Sequence, residues 1–180
     1  MNLSPMSSAT KVSLILSTIA SMISLGGCSS IAIRTMIEID APKADVYAIL
    51  ADLDAYPQWN PYHRRVSGAF EEGAKLNVEI TRPDGKHVRI PPHIIRIEEN
   101  QEISWGGGIK GVFFGEHRFL LRTTQDGQTV LEHNEDFSGI AIGFADLPAD
   151  VITKGYQQMN LALKHRAEAR TKVQIKTPYK

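Results

Sequence analysis

Cysteine is almost absent: Cys28 is the only one in 180 residues. A lone thiol forms no disulfide within its chain, so the fold is held by packing alone. Neither sign of charge is in excess, with 20 Lys and Arg against 20 Asp and Glu. That balance leaves no basic face of the kind nucleic acid requires, and no polybasic patch for an anionic membrane. No HExxH or similar metal signature occurs, and no clear nucleophile stands out. No internal repeat or low-complexity segment is present. Nor does any apolar run reach the ~20 residues that a stable membrane-spanning helix needs.

What is present begins with an uncharged stretch at 12–25 (VSLILSTIASMISL), preceded by Lys11 and followed by Gly26, Gly27 and Cys28. A basic start, a short apolar core and small residues before a cut site describe a secretory signal peptide. The pattern is the same whether the start is Met1 or Met6. Leu25-Gly26-Gly27-Cys28 resembles the lipobox of bacterial lipoproteins, in which the cysteine thiol is acylated and the chain is cut just before it. The resemblance implies loss of residues 1–27, a lipid on Cys28, a short tether over 28–30 and attachment to the cell envelope through that lipid. By the same resemblance, Ser29 and Ser30 favour the outer membrane, facing the periplasm, if the source is Gram-negative. An ordinary signal peptide with a chance cysteine, or an uncleaved anchor, is the competing reading. About 150 residues remain, with 19 basic against 20 acidic side chains and a charge of about −1. That is enough for one domain over 31–172, with 173–180 a polar, fraying tail.

Period and punctuation give the expected elements. Residues 31–39 read as a strand, and Asp40-Ala41-Pro42 reads as a helix start with an acidic cap and an early proline. That helix turns Val46, Ile49, Leu50 and Leu53 inward. Pro57 and Pro61 then allow only a short helical turn. Strand-like segments follow at 64–70, 75–81, 87–98 (interrupted at Pro91-Pro92), 102–105, 115–123 and 129–137, separated by Gly, Pro, Asn and Asp. Gly106-Gly107-Gly108 reads as a flexible connection that, with Val112-Phe113-Phe114, borders a cavity. The helical period returns near Asp146: Leu147, Val151, Ile152, Tyr156, Met159, Leu163 and Ala167 form one stripe. Gly155 lies beside it, placed either for a close approach or by drift.

The order is one of α+β class: strand, two short helices, an antiparallel run of about seven strands in all, and a long terminal helix for the curved sheet to wrap. With Ile37-Glu-Ile-Asp-Ala-Pro42, Leu53-Asp-Ala-Tyr-Pro-Gln-Trp-Asn-Pro61, Ser104-Trp105, Gly115-Glu-His-Arg-Phe119, Glu132-His-Asn-Glu-Asp-Phe-Ser-Gly139 and Met159-Asn-Leu-Ala-Leu-Lys-His-Arg-Ala-Glu168, it resembles the START-like, birch-pollen-allergen-like (SRPBCC) superfamily. Within it, the polyketide cyclase/dehydrase-like branch is the nearest in pattern. The resemblance implies a helix-grip fold around a hydrophobic cavity and a lipid or other apolar ligand; only some members are enzymes.

Hairpin arithmetic supplies the candidate site. Apolar residues of 115–123 and 129–137 sit mainly at odd numbers, so the odd face points inward. A three-residue Gln125-Asp126-Gly127 loop with Gly127 left-handed keeps those faces together. It sets His117 opposite Glu135 and Phe119 opposite His133. Two histidines and a carboxylate then face an apolar interior. They either satisfy one another, hold the polar head of an amphiphile, serve as acid and base with Glu135 orienting a histidine, or form a two-histidine, one-carboxylate metal site. The expected ligand contacts are His117, Phe119, His133, Glu135 and Phe137, with Trp59, Trp105, Tyr156 and Met159. His63, His87, His93 and His165 show no constellation and read as surface residues. The function that fits best is a membrane-tethered carrier or binder of a lipid-like molecule, with no cofactor or metal and no nucleic-acid partner. The alternative is a cyclase- or dehydratase-like enzyme using His117, His133 and Glu135.

Overall fold

The computed structural model describes residues 30–176, with side-chain surroundings through Lys172. The signal-peptide reading and Cys28 lie outside the described residues. The elements are β1 (Ser30–Ile39), α1 (Lys43–Ala51), a 3-10 turn (Leu53–Ala55), α2 (Tyr56–Trp59), β2 (His63–Ser67), β3 (Asn77–Thr81), β4 (His87–Ile90), β5 (His93–Glu98), β6 (Glu102–Ile109), β7 (Phe113–Thr123), β8 (Thr129–Ser138), a second 3-10 turn (Ile142–Phe144) and α3 (Ala149–Lys176). α3 therefore runs past the domain boundary expected at 172.

Eight strands are found among the described residues, against the about seven expected, and they form two sheets. The larger has the order β1-β8-β7-β6-β5 and the smaller β2-β3-β4. Pro91-Pro92 separates β4 from β5, because proline has no N–H to give a ladder. The sheets meet where Lys75 bridges His93, with the Leu76 amide donating to Pro92 O at 2.8 Å and the Ile94 amide to Ala74 O at 3.0 Å.

The three glycines are strand, not connection. Gly106, Gly107 and Gly108 pair with Glu116, Gly115 and Phe114 across β6–β7. A Cβ on Gly106 would sit 2.4 Å from the Gly115 carbonyl, and Gly108 has φ +111°. Pairing this close admits no side chain at Gly106 or Gly108.

α1 starts differently from expectation as well. Pro42 is its N-cap, extended at ψ 142°, and no side chain caps the helix. Asp40 stands two residues before that position. Its amide instead donates to Glu168 Oε1 at 3.1 Å, and its carboxylate accepts from Gln128 Nε2 at 3.4 Å. The inward residues of this segment are as the period predicts: Val46, Ile49, Leu50 and Leu53 are all buried.

α3 packs on β1 and α1. Its stripe of Ile152, Tyr156, Met159, Leu163 and Ala167 is buried, which is the i, i+4, i+7 spacing of one helix face. Val151 and Leu147 lie at its half-buried margin. The β7–β8 hairpin has the expected register, His117 opposite Glu135 and Phe119 opposite His133. Its loop is closed by the Thr124 amide donating to Gln128 O at 2.9 Å, and Gly127 is left-handed at φ +80°.

Of the two readings of Gly155, close approach is the one found: a Cβ there would lie 2.2 Å from two ring carbons of Tyr62. Alanine normally stabilises a helix interior over glycine by ~1 kcal/mol. Here the Tyr62 ring, edge-on to Tyr156 at 5.3 Å, has little room to withdraw. Gly155→Ala should therefore destabilise by about 1–3 kcal/mol, the cost of overpacking a filled site. Urea unfolding measures it; equal or higher stability would show that the Tyr62 contact yields freely.

Candidate functional site

Between the first turns of α3, the glycine-paired stretch of β6–β7 and the small sheet lies a cavity of about 490 Å³. Its walls are largely apolar, including Ile80, Val88, Ile90, Pro92, Phe137, Leu147 and Ile152. The space follows from the sequence. Gly106, Gly107, Gly108 and Gly115 all line it, and they present no side chains. A Cβ on Gly115 would come within 3.0 Å of the Phe137 ring, so even alanine there crowds the wall.

Polar groups gather where β7, β8 and α3 meet. His117 Nε2 and His133 Nε2 are 2.7 Å apart, and His133 Nδ1 is 2.7 Å from Asn160 Oδ1. Asn160 Nδ2 donates to Thr35 Oγ1 at 2.9 Å, and that hydroxyl donates to the His133 carbonyl at 2.9 Å. The Tyr156 hydroxyl donates to Glu135 Oε2, and its ring stacks on His133 with centroids 3.9 Å apart. Trp105 stacks on the other histidine, His117, at 4.7 Å. Thus the three expected polar residues share one locality, but Glu135 is held by Tyr156 rather than by either imidazole.

His63 corrects a sequence expectation. It is not a surface residue: it is 2% exposed, lines the cavity and meets His117 edge-on at 5.1 Å. Asn60 aims it. The Asn60 Oδ1 accepts from the amides of Tyr62 and His63 at 3.0 and 2.9 Å, fixing the bend after Pro61. A register shift between His63 and Arg65 then breaks the alternation of β2, so period-two reading gives His63 no face. His87, His93 and His165 are exposed.

The expected contacts divide by position. His117, Glu135, Phe137, Trp105 and Tyr156 are on the cavity wall. Phe119, His133 and Met159 are fully buried but lie behind that wall, not on it. Trp59 is not there either; half-buried on α2, it packs edge-on to Tyr56 at 5.2 Å. Sequence reasoning missed Tyr62, His63, Asn160 and Arg82. Arg82 is 7% exposed, with Nη1 2.8 Å from Asp146 and Nη2 bonded to Asp84. Its Nε has no partner among the described residues. No group of three His, Cys, Asp or Glu among the described residues is arranged to hold a metal.

Burial sets the charge states. It pushes His63 and His133 down to about 3, with the Asn160 bond opposing the shift at His133. Burial, with the neighbouring imidazoles, pushes His117 well below its usual value. All three are neutral near pH 7. Burial raises the Glu135 carboxyl from 4.5 to about 7, against the lowering effect of the Tyr156 bond and with a further rise from Asp136. The site is therefore a neutral imidazole cluster beside one carboxyl that titrates near neutrality, and such a carboxyl can give or take a proton there.

The sequence profile of a family described as polyketide cyclase / dehydrase and lipid transport matches residues 30–168. Solved structures show the same fold. The Zhui aromatase/cyclase of a Streptomyces species superposes with a TM-score of 0.64 at 15% identity, over 79% of this chain and 96% of that one. A START superfamily protein of Mycobacterium smegmatis gives 0.59 at 19%, over 79% and 99%. A Staphylococcus aureus protein of unknown function gives 0.61 at 14%, over 81% and 98%. No functionally curated protein matches the sequence.

The titrations act on stability with opposite signs. The imidazoles are lowered, so the unfolded chain binds protons that the fold refuses as pH falls from ~6.5 toward ~3, and stability is lost over that range. Glu135 is raised, so the fold keeps a proton that the unfolded chain has shed between 4.5 and about 7. Its contribution to stability therefore declines as pH rises through that window. Glu135→Gln should gain on wild type by on the order of a few kcal/mol between pH 5 and pH 8. Urea midpoints at the two pH values test this, and an unchanged difference between the two proteins would contradict it.

Proposed function

The chain belongs to the polyketide cyclase/dehydrase and lipid transport family, and from that premise we propose that it binds or carries an apolar, lipid-like molecule in the cavity under α3, held at a membrane by a lipid on Cys28. The observation that carries the reading is the cavity itself. About 490 Å³ of apolar-walled space with a few polar groups, His117, Glu135 and Tyr156, falls in the size and character of small-molecule sites. A filled core would have been evidence against it.

The surface beside the cavity supports the membrane part. Ile109 and Val112 on the β6–β7 turn, and Ile140 and Phe144 after β8, are exposed, Phe144 to 93%. The two loops are one structure: the Ile140 amide donates to Gly111 O at 3.1 Å and the Ala141 amide to Val112 O at 2.9 Å. Their neighbours Gly108, Phe113 and Ala145 line the cavity. Clustered exposed apolar groups mark a contact surface. The chain enters at this same end, because Ser30 pairs with Ser138, which pairs in turn with Phe114. Cys28 is two residues further back, a reach of at most ~7 Å. On this reading a lipid on Cys28 would attach at the end of the domain that carries the apolar rim and the cavity. In this reading the protein sits in the cell envelope, on the outer membrane facing the periplasm in a Gram-negative cell.

A second reading, an enzyme of the cyclase or dehydratase kind on an apolar substrate, is favoured by one observation. Glu135 stands at the cavity with a pKa near 7 and a Tyr156 donor. Acid and base work would fall to Glu135 and His117, since His133 is behind the wall.

Filling the cavity separates these proposals from a closed core. Val88 is half-buried at the wall, so Val88→Phe should leave the fold intact. It should weaken binding of a fluorescent fatty-chain probe by about tenfold or more, as a displaced apolar group of this size implies. Probe affinity equal to wild type would place the binding elsewhere. Replacing Ile140 and Phe144 with Ser should slow probe exchange with vesicles while leaving affinity unchanged.

A further inference from the structure

The hydrogen-bond chain behind the cavity wall has only one consistent direction. The His133 carbonyl can only accept, so the Thr35 hydroxyl, 2.9 Å away, donates to it. That leaves the Thr35 oxygen to accept from Asn160, which fixes the Asn160 nitrogen toward Thr35 and its oxygen toward His133. His133 must therefore carry its proton on Nδ1, and in a neutral ring Nε2 is then a lone pair. The 2.7 Å contact between the two Nε2 atoms needs a proton, and only His117 can supply it. His117 is thus the Nε2–H tautomer, and its Nδ1 is a lone pair. That nitrogen is covered by its neighbours and has no partner among the described residues, but its side chain lines the cavity, so a ligand donor reaches it once a neighbouring side chain gives way. An acceptor left unpaired in the interior is a cost that a ligand donor removes.

The neighbouring groups narrow the donor. Glu135 is the direct cross-strand partner of His117, and Tyr156 occupies only its Oε2. Ionised, Glu135 offers a second acceptor and repels an anion; protonated, it donates. A hydroxyl group suits both states, since it can donate to the imidazole and either donate to or accept from the carboxyl. A carboxylate or phosphate has no hydrogen for His117 and meets the Glu135 charge. The guanidinium of Arg82, also on the wall, is paired with Asp84 and Asp146 through its two Nη atoms, which leaves only Nε–H as a competing donor. His63 has an unpartnered Nδ1 as well, but no bond fixes its tautomer.

We infer that the cavity selects an apolar molecule ending in a neutral hydroxyl, which donates its hydrogen to His117 Nδ1. This deepens the carrier reading and rests on it.

Two measurements on the purified full chain test it. Long-range proton–nitrogen NMR at pH 7 should show His133 protonated on Nδ1 and His117 on Nε2; the reverse tautomers would overturn the inference. Binding of dodecane, dodecanol and dodecanoate at pH 8 should show dodecanol the tightest, by about tenfold over each of the others. In His117→Phe, dodecanol should fall to the level of dodecane, while dodecane is unaffected. Asn160→Leu, which frees the His133 tautomer, should narrow the dodecanol advantage without touching the wall. Equal binding of dodecane and dodecanol, or a preference for dodecanoate with Arg82 as its partner, would overturn the hydroxyl inference and leave the carrier reading standing. Failure of all three to bind would remove the carrier reading along with it.

Discussion

Asn160 joins the two halves of this molecule. From α3 it reaches Thr35 on β1 and His133 on β8, and through His133 it reaches His117 on β7. His117, His133 and Asn160 are buried and Thr35 is half-buried, so for the three buried groups a broken link leaves a polar atom unsatisfied and a complete one is strengthened by the low dielectric. One turn earlier, Tyr156 ties the same helix to Glu135. The helix is therefore pinned to the sheet by hydrogen bonds along its middle, while its apolar stripe continues into the α1 side of the core. Pinned there, its first turns need not collapse onto the sheet.

The opening that remains is kept by what the sheet lacks. Four glycines on facing strands line the wall without side chains, and a Cβ would be crowded by the Gly115 carbonyl at Gly106, by the Phe113 carbonyl at Gly108 and by the Phe137 ring at Gly115. Gly155 does the same on the helix, admitting Tyr62, which stands beside His63 in the wall. The result is a directional interior. Apolar residues of the small sheet and of the α3 start form most of the surface, and the neutral imidazoles with Glu135 form one polar corner. An apolar molecule with one polar end has a place for each part, which is what ties this architecture to a carrier or, with Glu135 as acid and base, to an enzyme of the same family.

Much of this was legible in the sequence. The β7–β8 register followed from alternation and from the parity of a three-residue loop, and it brought His117 and Glu135 together before any coordinates. The α3 stripe followed from its 3.6 period. The rest was hidden for physical reasons. Asn160 stands four residues after Tyr156 and three before Leu163, on the buried face by the helical period, but its polarity hides it in an apolar stripe. His63 follows a proline turn and precedes a bulge, so no period assigns it a face. Gly106 to Gly108 have poor intrinsic strand propensity, and their strand is imposed by the partner across the ladder. Trp59 drew attention by size, but α2 is too short to carry it as far as the cavity. The division into two sheets turns on Pro91-Pro92, which a one-dimensional reading shows only as an interruption.

The proposed carrier role requires a cavity that holds a guest. Native mass spectrometry of the full-length protein, purified from its own cells without organic solvent or denaturing detergent, addresses that most directly. It should show a fraction of chains carrying one apolar molecule, released on mild activation and absent from Val88→Phe. A single bare mass throughout, from a protein that also takes up no added fatty-chain compound, would contradict it.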